Sequence, residues 1–490
     1  MQKRIAVVGG GFGGLTAAAY LARQGWKVTL FEKNDQLGGR ARVWNSGDFS
    51  FDMGPSWYLM PEVFDQFFAD FGADRRDYYT LYRLDPYYRV FFKPGEYVDI
   101  SADRAAVEAV FEQLEPDGAA KLRRYLAQAE YKYNVAMQQF LYKEYRSIFQ
   151  FLNWRLMTEG LKLNVFSRLD GFVERYFKDR RAKQILEYAM VFLGSSPRNA
   201  PALYSIMSHV DLNLGVFFPH GGMTSLVAGL ARLLQQQGVE VRTEAPVERV
   251  VVQNGRAAGV EVRGERFPAD AVLVNADYAW AETNLLDAEQ RSYSQRYWNS
   301  RVMAPTMFIV YLGLNRKLPQ LVHHNLYFTD PWDDHFAAIF DKPRWPDTFS
   351  YYISCASFDD PSVAPREHEN LFFLIPVAAG LDDSDQIRRH WYEKVLTHFE
   401  QLIGERVRDS IVVERIYSHR DFSADYNAFQ GTALGISHTL GQTAVFRPSQ
   451  RSRKVANLFY SGQYTHPGVG VPMTFIASKV ICNAITQEQR

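Results

Sequence analysis

Gly9, Gly11 and Gly14 stand at the spacing G-x-G-x-x-G within RIAVVGGGFGGLTAAAYLARQGWKVTLFEK, a stretch that closes on Glu32. Glycine at the first position permits a tight turn. At the second it lets the backbone approach a pyrophosphate, and at the third it lets a helix pack close to a sheet. The free N–H groups and the positive dipole end of that helix attract a diphosphate. The Glu32 carboxylate can accept hydrogen bonds from both hydroxyls of an adenosine ribose, and it would repel a 2′-phosphate. The stretch therefore favours FAD or NAD over NADP.

That chemistry needs a strand, a turn, a helix and a second strand. Ile5–Val8 is apolar without alternation, as in a parallel strand buried on both faces. Residues 15–24 read as a helix, Gly25 suits its C-cap, and Val28–Phe31 reads as the second strand. This βαβ unit is the context the glycine fingerprint requires.

Further along, Gly38 and Gly39 make a second turn and Arg40 follows at once. Arg40 could give charge-assisted hydrogen bonds to a diphosphate. Asp52-Met-Gly54-Pro55-Ser56 supplies another Gly-Pro turn. At the other end of the chain, Ser461-Gly462 leads through His466-Pro467-Gly468 to Gly470 and Pro472, ahead of a helix. Pro472 is also what simple helix capping asks for. His466 carries two readings, a group that touches substrate or relays a proton, and a group that only shapes the turn.

Other chemistries find little support. His323 and His324 are adjacent, which in a strand puts them on opposite faces, and no carboxylate stands at a ligand spacing, so no metal site is expected. No G-x-S-x-G elbow is present, and no general base stands out.

The glycine turn with Glu32 and GGR resembles the extended fingerprint of FAD-containing amine-oxidase-type flavoproteins. The C-terminal segment, together with FDMGPSWY, FFPHGGMTSLVAGL, FDDPSVAP and GTALGISHTLGQTAVFRP, is similar to bacterial-type phytoene desaturases, the FAD-dependent carotenoid desaturases and isomerases of that superfamily. The resemblance spans nearly the whole chain and is weakest in the central helical stretch. It implies FAD as cofactor, with Gly9, Gly11, Gly14 and Arg40 at the diphosphate and Glu32 at the ribose. Gly54, Pro55 and Ser56 would lie at the flavin ring, and Val247 would pair its backbone with the adenine. Gly462, Val471, Pro472 and Met473 would lie near the ribityl chain and ring. A helix starting near Met473 would aim its positive end at the flavin. The implied substrate is a long apolar polyene, with phytoene desaturation toward lycopene as the leading reaction. A carotenoid isomerase or later-step desaturase is the alternative, followed by an amine oxidase and a non-catalytic flavin-binding scaffold.

The 490 residues suffice for several domains. The expected fold class is α/β, with a Rossmann-like FAD-binding domain of discontinuous segments (1–75, 215–289, 450–490). A β-rich substrate domain (76–100, 290–449) and a helical insert (101–214) complete it. Within the insert, residues 105–114, 119–140 and 180–193 read as helices. Asn254-Gly255 reads as a hairpin turn between strands 247–253 and 257–262. Zero formal net charge argues against nucleic acid as a partner. Nothing in the sequence sets an oligomeric state. Two cysteines, Cys355 and Cys482, fit a reduced, cytoplasmic setting. Neither a signal peptide nor a spanning helix is expected.

Aromatic residues make up 15% of the chain, which suits an aromatic core, an apolar tunnel or a membrane face. Residues 131–168 interleave Tyr133, Phe140, Tyr142, Tyr145, Phe149, Phe151 and Trp154 with Lys132, Lys143, Arg146, Arg155 and Lys162. One reading is a helix lying in the membrane interface, which would tie the protein peripherally to the inner face of the membrane. The other is ordinary core packing.

Overall fold

The computed structural model describes residues 2–145, 167–191 and 193–488. A five-stranded parallel sheet runs in the order Leu458–Tyr460, Ala271–Val274, Arg4–Val8, Lys27–Phe31 and Glu240–Arg242. Its strands come from both ends and the middle of the chain. Ile5 pairs with both Ala271 and Val28, so the N-terminal strand is central. Ile5, Val7, Val28 and Leu30 pack beneath the helices Phe12–Arg23, Met223–Gln236 and Val471–Glu488. Ala6, Val8 and Phe31 face a three-stranded meander, Val247–Gln253, Arg256–Val262 and Glu265–Pro268. Burial on both faces is why the first strand carries no polar alternation. The expected hairpin turns at Asn254 and Gly255, both at positive φ. The third strand of the meander is an addition to the sequence reading.

The second large sheet has seven strands, ordered Ile411–Tyr417, Thr306–Leu314, Glu369–Val377, Tyr351–Ser354, His324–Tyr327, Tyr88–Lys93 and Glu96–Ile100. Phe308, Val310, Leu312, Phe373 and Ile375 on one face pack with Trp391, Val395 and Phe399 of the Asp385–Ile403 helix. Met307, Ile309, Tyr311, Phe372 and Leu374 on the other face join the helical region between residues 104 and 214. In register, Ile309 lies opposite Leu374 and Tyr311 opposite Phe372.

The helical region corrects several expectations. The expected 105–114 helix is present as Arg104–Leu114. The helix Gly118–Val135 passes into a π-helical turn at Ala136–Leu141 instead of running straight to Phe140. The helix Arg180–Glu187 gives way to a 3-10 turn, Tyr188–Met190. Of the proposed interfacial segment, residues 146–166 lie outside the described residues, including Arg146, Phe149, Phe151, Trp154, Arg155 and Lys162. Lys132 and Tyr133 are buried and do not serve a membrane face. Lys132 Nζ donates to the Ala202 carbonyl (3.1 Å) and Ser205 Oγ (3.0 Å) and sits 3.6 Å from the centre of the Phe172 ring. Tyr133 donates its hydroxyl to Glu62. Lys143 and Tyr142 are exposed, as a surface role would require. Among the described residues no helix is long and apolar enough to cross a membrane.

Burial lowers the Lys132 pKa to about 7. The unfolded chain, with an ordinary lysine, then binds more protons than the native state above that value. Stability should therefore rise from pH 7 toward pH 10 through this residue. Lys132→Met should flatten that rise and raise Tm at pH 7, which thermal denaturation of both proteins across the range would show.

Candidate functional site

The glycine turn is built around close backbone contacts. Gly9 N–H donates to the Phe31 carbonyl (2.8 Å), tying the turn to the next strand. A Cβ on Gly14 would lie 1.9 Å from the Gly9 carbonyl oxygen, so the third glycine clears the turn itself. Gly38 N–H donates to the Gly10 carbonyl (2.8 Å), and a Cβ on Gly39 would lie 3.1 Å from Gly11 Cα. The second glycine pair thus buttresses the first. From the C-terminal side, Ser478 Oγ donates to the Gly13 carbonyl (2.8 Å), holding the Val471–Glu488 helix against the same turn.

Asn275, which the sequence reading passed over, is wedged into this cradle. Its Nδ2 donates to the Ser461 carbonyl (2.9 Å), and its side chain fills the space that a Cβ on Gly13 or Gly462 would need. A polar residue directly after the apolar strand Ala271–Val274 was the available signal.

These loops open on one cavity of about 1510 Å³. This exceeds the roughly 300–1,000 Å³ of an ordinary small-molecule site. Gly9, Gly11, Glu32, Arg40, Gly54, Pro55, Ser56, Val247, Gly462, His466, Val471, Pro472 and Met473 all line it. Of the candidate residues only Gly14 does not, because it lies behind the turn. Residues absent from the sequence reading complete the wall. Met307, Ile309, Leu374 and Tyr352 come from the seven-stranded sheet, and Trp57 follows Ser56. Tyr188, Ala189, Leu193 and Met207 come from the helical region. Asp425, Tyr426 and Asn427 close the Glu32 end.

The polar groups divide by place. Glu32 is buried, and its carboxylate accepts from Gly10 N–H (2.7 Å) and Asn34 N–H (2.8 Å). Each oxygen keeps a second lone pair for a ribose hydroxyl. Arg40 stacks over Tyr426, donates weakly to the Thr432 carbonyl (3.4 Å), and has a buried Nε without a partner among the described residues. An anion in the cavity would satisfy that donor. Glycine cradle, orphaned guanidinium N–H and carboxylate together fit a dinucleotide diphosphate and ribose. Glu32→Ala should weaken FAD binding by about 1.5–3 kcal/mol, the scale of a hydrogen bond to a charged group, as read from a flavin-fluorescence titration.

Around the C-terminal motif, the guanidinium of fully buried Arg447 donates to the carbonyls of Tyr464 (3.2 Å), Gln442 (3.1 Å), Ile436 (3.4 Å) and Gln463 (2.6 Å). Burial brings its pKa down to about 10, so it stays charged at neutral pH. His466 Nε2–H donates to the Phe140 carbonyl (3.3 Å), and its ring meets Tyr145 edge-on at 4.9 Å. Its Nδ1 is buried with no partner among the described residues. Burial, aided by Arg447, lowers its pKa to about 4, so His466 is neutral at physiological pH.

His323 and His324 depart from the sequence reading. Their rings meet edge-to-face at 4.5 Å instead of pointing to opposite faces, because the strand begins only at His324. Among the described residues no group of three or more ligating side chains could hold a metal.

The family model for flavin containing amine oxidoreductases matches residues 12–486. A carotenoid 3,4-desaturase of Haloarcula japonica is 45% identical over 99% of this chain and 98% of its own length. A zeta-carotene-forming phytoene desaturase of Myxococcus xanthus is 34% identical over 98% of this chain and 93% of its own. Among solved structures, an oxidoreductase from Methanosarcina mazei superposes with a TM-score of 0.65 at 14% identity, covering 98% of this chain and 100% of the other.

Proposed function

Because the chain belongs to the flavin-containing amine oxidoreductases, and within them to the FAD-dependent carotenoid desaturases, we propose that it desaturates a CH–CH pair near the end of a long acyclic carotenoid. The 45% identity to a carotenoid 3,4-desaturase carries this choice of step. In carotenoid numbering the 3,4 bond lies close to the chain terminus, so one end of the polyene need enter the cavity. A second reading, phytoene desaturation toward lycopene, rests on the 34% identical phytoene desaturase.

FAD supplies the two-electron acceptor. The protein must hold it, exclude water and set one C–H bond against it. Gly9, Gly11 and Arg40 would hold the diphosphate, Glu32 the ribose and Val247 the adenine. Gly54, Pro55, Ser56, Gly462, Val471, Pro472 and Met473 would border the flavin. The N-terminus of the Val471–Glu488 helix lies at the cavity wall, and its positive dipole end favours negative charge there. A hydrocarbon offers nothing to hydrogen-bond, so Met307, Ile309, Leu374 and Leu193 would orient it by shape alone. Entry from a bilayer belongs to the same reading. Phe446 lines the cavity yet is 52% exposed, and Leu141, also lining, leads into exposed Tyr142 and Lys143.

Pigment analysis separates the two steps. Expressed in a host that makes lycopene, the protein should yield a pigment with a longer chromophore. In a host that stops at phytoene it should leave phytoene unchanged. Conversion of phytoene alone would favour the second reading.

A further inference from the structure

Desaturation takes two hydrogens from neighbouring carbons. One leaves with both electrons of its C–H bond, to the flavin. The other leaves as a proton, while its C–H electrons become the new π bond. That proton must cross an apolar wall, where a stranded charge is costly.

We propose that Ser56, Tyr352, His324, His323 and Asp359 form a proton exit from this wall to solvent, an inference that rests on the desaturase reading. Ser56 and Tyr352 line the cavity. Ser56 Oγ lies 2.9 Å from the Tyr352 hydroxyl, which lies 2.7 Å from His324 Nδ1. The His324 ring stacks on Trp57 at 4.4 Å and meets the His323 ring at 4.5 Å. His323 Nδ1 is 2.9 Å from Asp359 Oδ2, and the Asp359 side chain is 32% exposed. Both imidazoles are fully buried.

The donors and acceptors line up in one direction. The Asp359 carboxylate only accepts, so His323 carries its proton on Nδ1 and leaves Nε2 as an acceptor. Either hydroxyl of the Ser56–Tyr352 pair can donate, and the relay requires Tyr352 to receive from Ser56 and donate to His324 Nδ1, which puts the His324 proton on Nε2. These two Nε2 atoms, one acceptor and one donor on touching rings, are both buried and make no hydrogen bond among the described residues, to each other included. The proton crosses between the rings once the two Nε2 atoms close to hydrogen-bond distance, and every other member passes one outward as it takes one from the cavity side. Trp57 against His324 and Phe218 against His323, at 4.4 Å, keep the rings in place. Adjacent histidines that make no metal site thereby gain a role. His324, His323 and Asp359 act through Tyr352 and touch neither substrate nor flavin.

Two measurements on the FAD-loaded protein test this. Nitrogen-15 histidine spectra, taken without substrate, should show Nδ1–H on His323 and Nε2–H on His324. The reverse pattern overturns the relay. Stopped-flow mixing with a polyene and a pH-indicator dye should show proton release keeping pace with flavin bleaching in the parent protein. In Tyr352→Phe and His323→Gln, release should lag by at least about 10-fold, below the 10²–10⁴ of a direct acid–base group. FAD content and Tm should stay near the parent's. Release that keeps pace in both variants overturns the relay. If no polyene bleaches the flavin, the desaturase reading fails and the relay has no proton to carry, whereas bleaching with undelayed release in both variants fails the relay alone.

Discussion

Gly14→Ala is expected to leave the protein unable to retain FAD. The added methyl would stand 1.9 Å from the Gly9 carbonyl oxygen, and its neighbour there is backbone, which cannot swing aside. The turn must open, and the N–H groups proposed to face the diphosphate lose their convergence. Losing two such charge-assisted hydrogen bonds, at about 1.5–3 kcal/mol each, weakens binding by more than about 100-fold. Gel filtration of the variant should return protein without the flavin absorbance band, with the far-UV spectrum retained. Gly171→Ala, where none of the described residues lies within 4 Å of the new methyl, should keep its flavin. Full flavin retention by Gly14→Ala would refute the cradle.

Leu374→Trp should separate flavin binding from turnover. Leu374 lies on the cavity face of the seven-stranded sheet, opposite Ile309. An indole there extends into open cavity rather than into packed core, so overpacking strain is small. The polyene, steered only by shape, loses its alignment. A misplacement of about 1 Å costs on the order of 10²-fold in rate, and a blocked passage costs more. The anaerobic rate of flavin bleaching by polyene should fall at least that far, with FAD content and Tm near the parent's. An unchanged rate would place the substrate elsewhere.

How much of this was legible in the sequence depended on whether the signal was local. The strand Arg4–Val8, the glycine turn and the Asn254-Gly255 hairpin follow from short-range rules, and the structure bears them out as local elements. The seven-stranded sheet is legible as apolar runs and residues 76–100 are assigned to its domain, but the strands Tyr88–Lys93 and Glu96–Ile100 themselves, far away in sequence, carry no run that marks their place in it. The cavity wall is harder still. Met307, Ile309 and Leu374 look like any buried strand residues, and only tertiary packing decides which face meets the cavity. Asp425 and Asn427 reach the Glu32 end across the fold, and no spacing rule joins positions so distant.

Lys132 is a different case, because the signal was there. Leu122, Tyr125, Ala129, Lys132 and Ala136 fall at three- and four-residue steps along one helix face, and four of the five are small or apolar. Periodicity placed Lys132 in the core stripe, while its charge suggested a lipid surface. Periodicity won because the lysine stem packs as hydrocarbon and its ammonium finds a carbonyl, a hydroxyl and an aromatic face. The arrangement of His323 and His324 has a simpler cause: the strand begins only at His324, so strand alternation does not extend to His323.

The central claim is that one cavity brings FAD and a polyene together. Its most direct test is anaerobic mixing of the purified, FAD-loaded protein with detergent-dispersed acyclic carotenoids, followed by absorbance. The expected result is bleaching of the flavin band with a matching red shift of the carotenoid spectrum, as one double bond joins the chromophore. A flavin left oxidised by every carotenoid, but reduced by a primary amine, would contradict the claim.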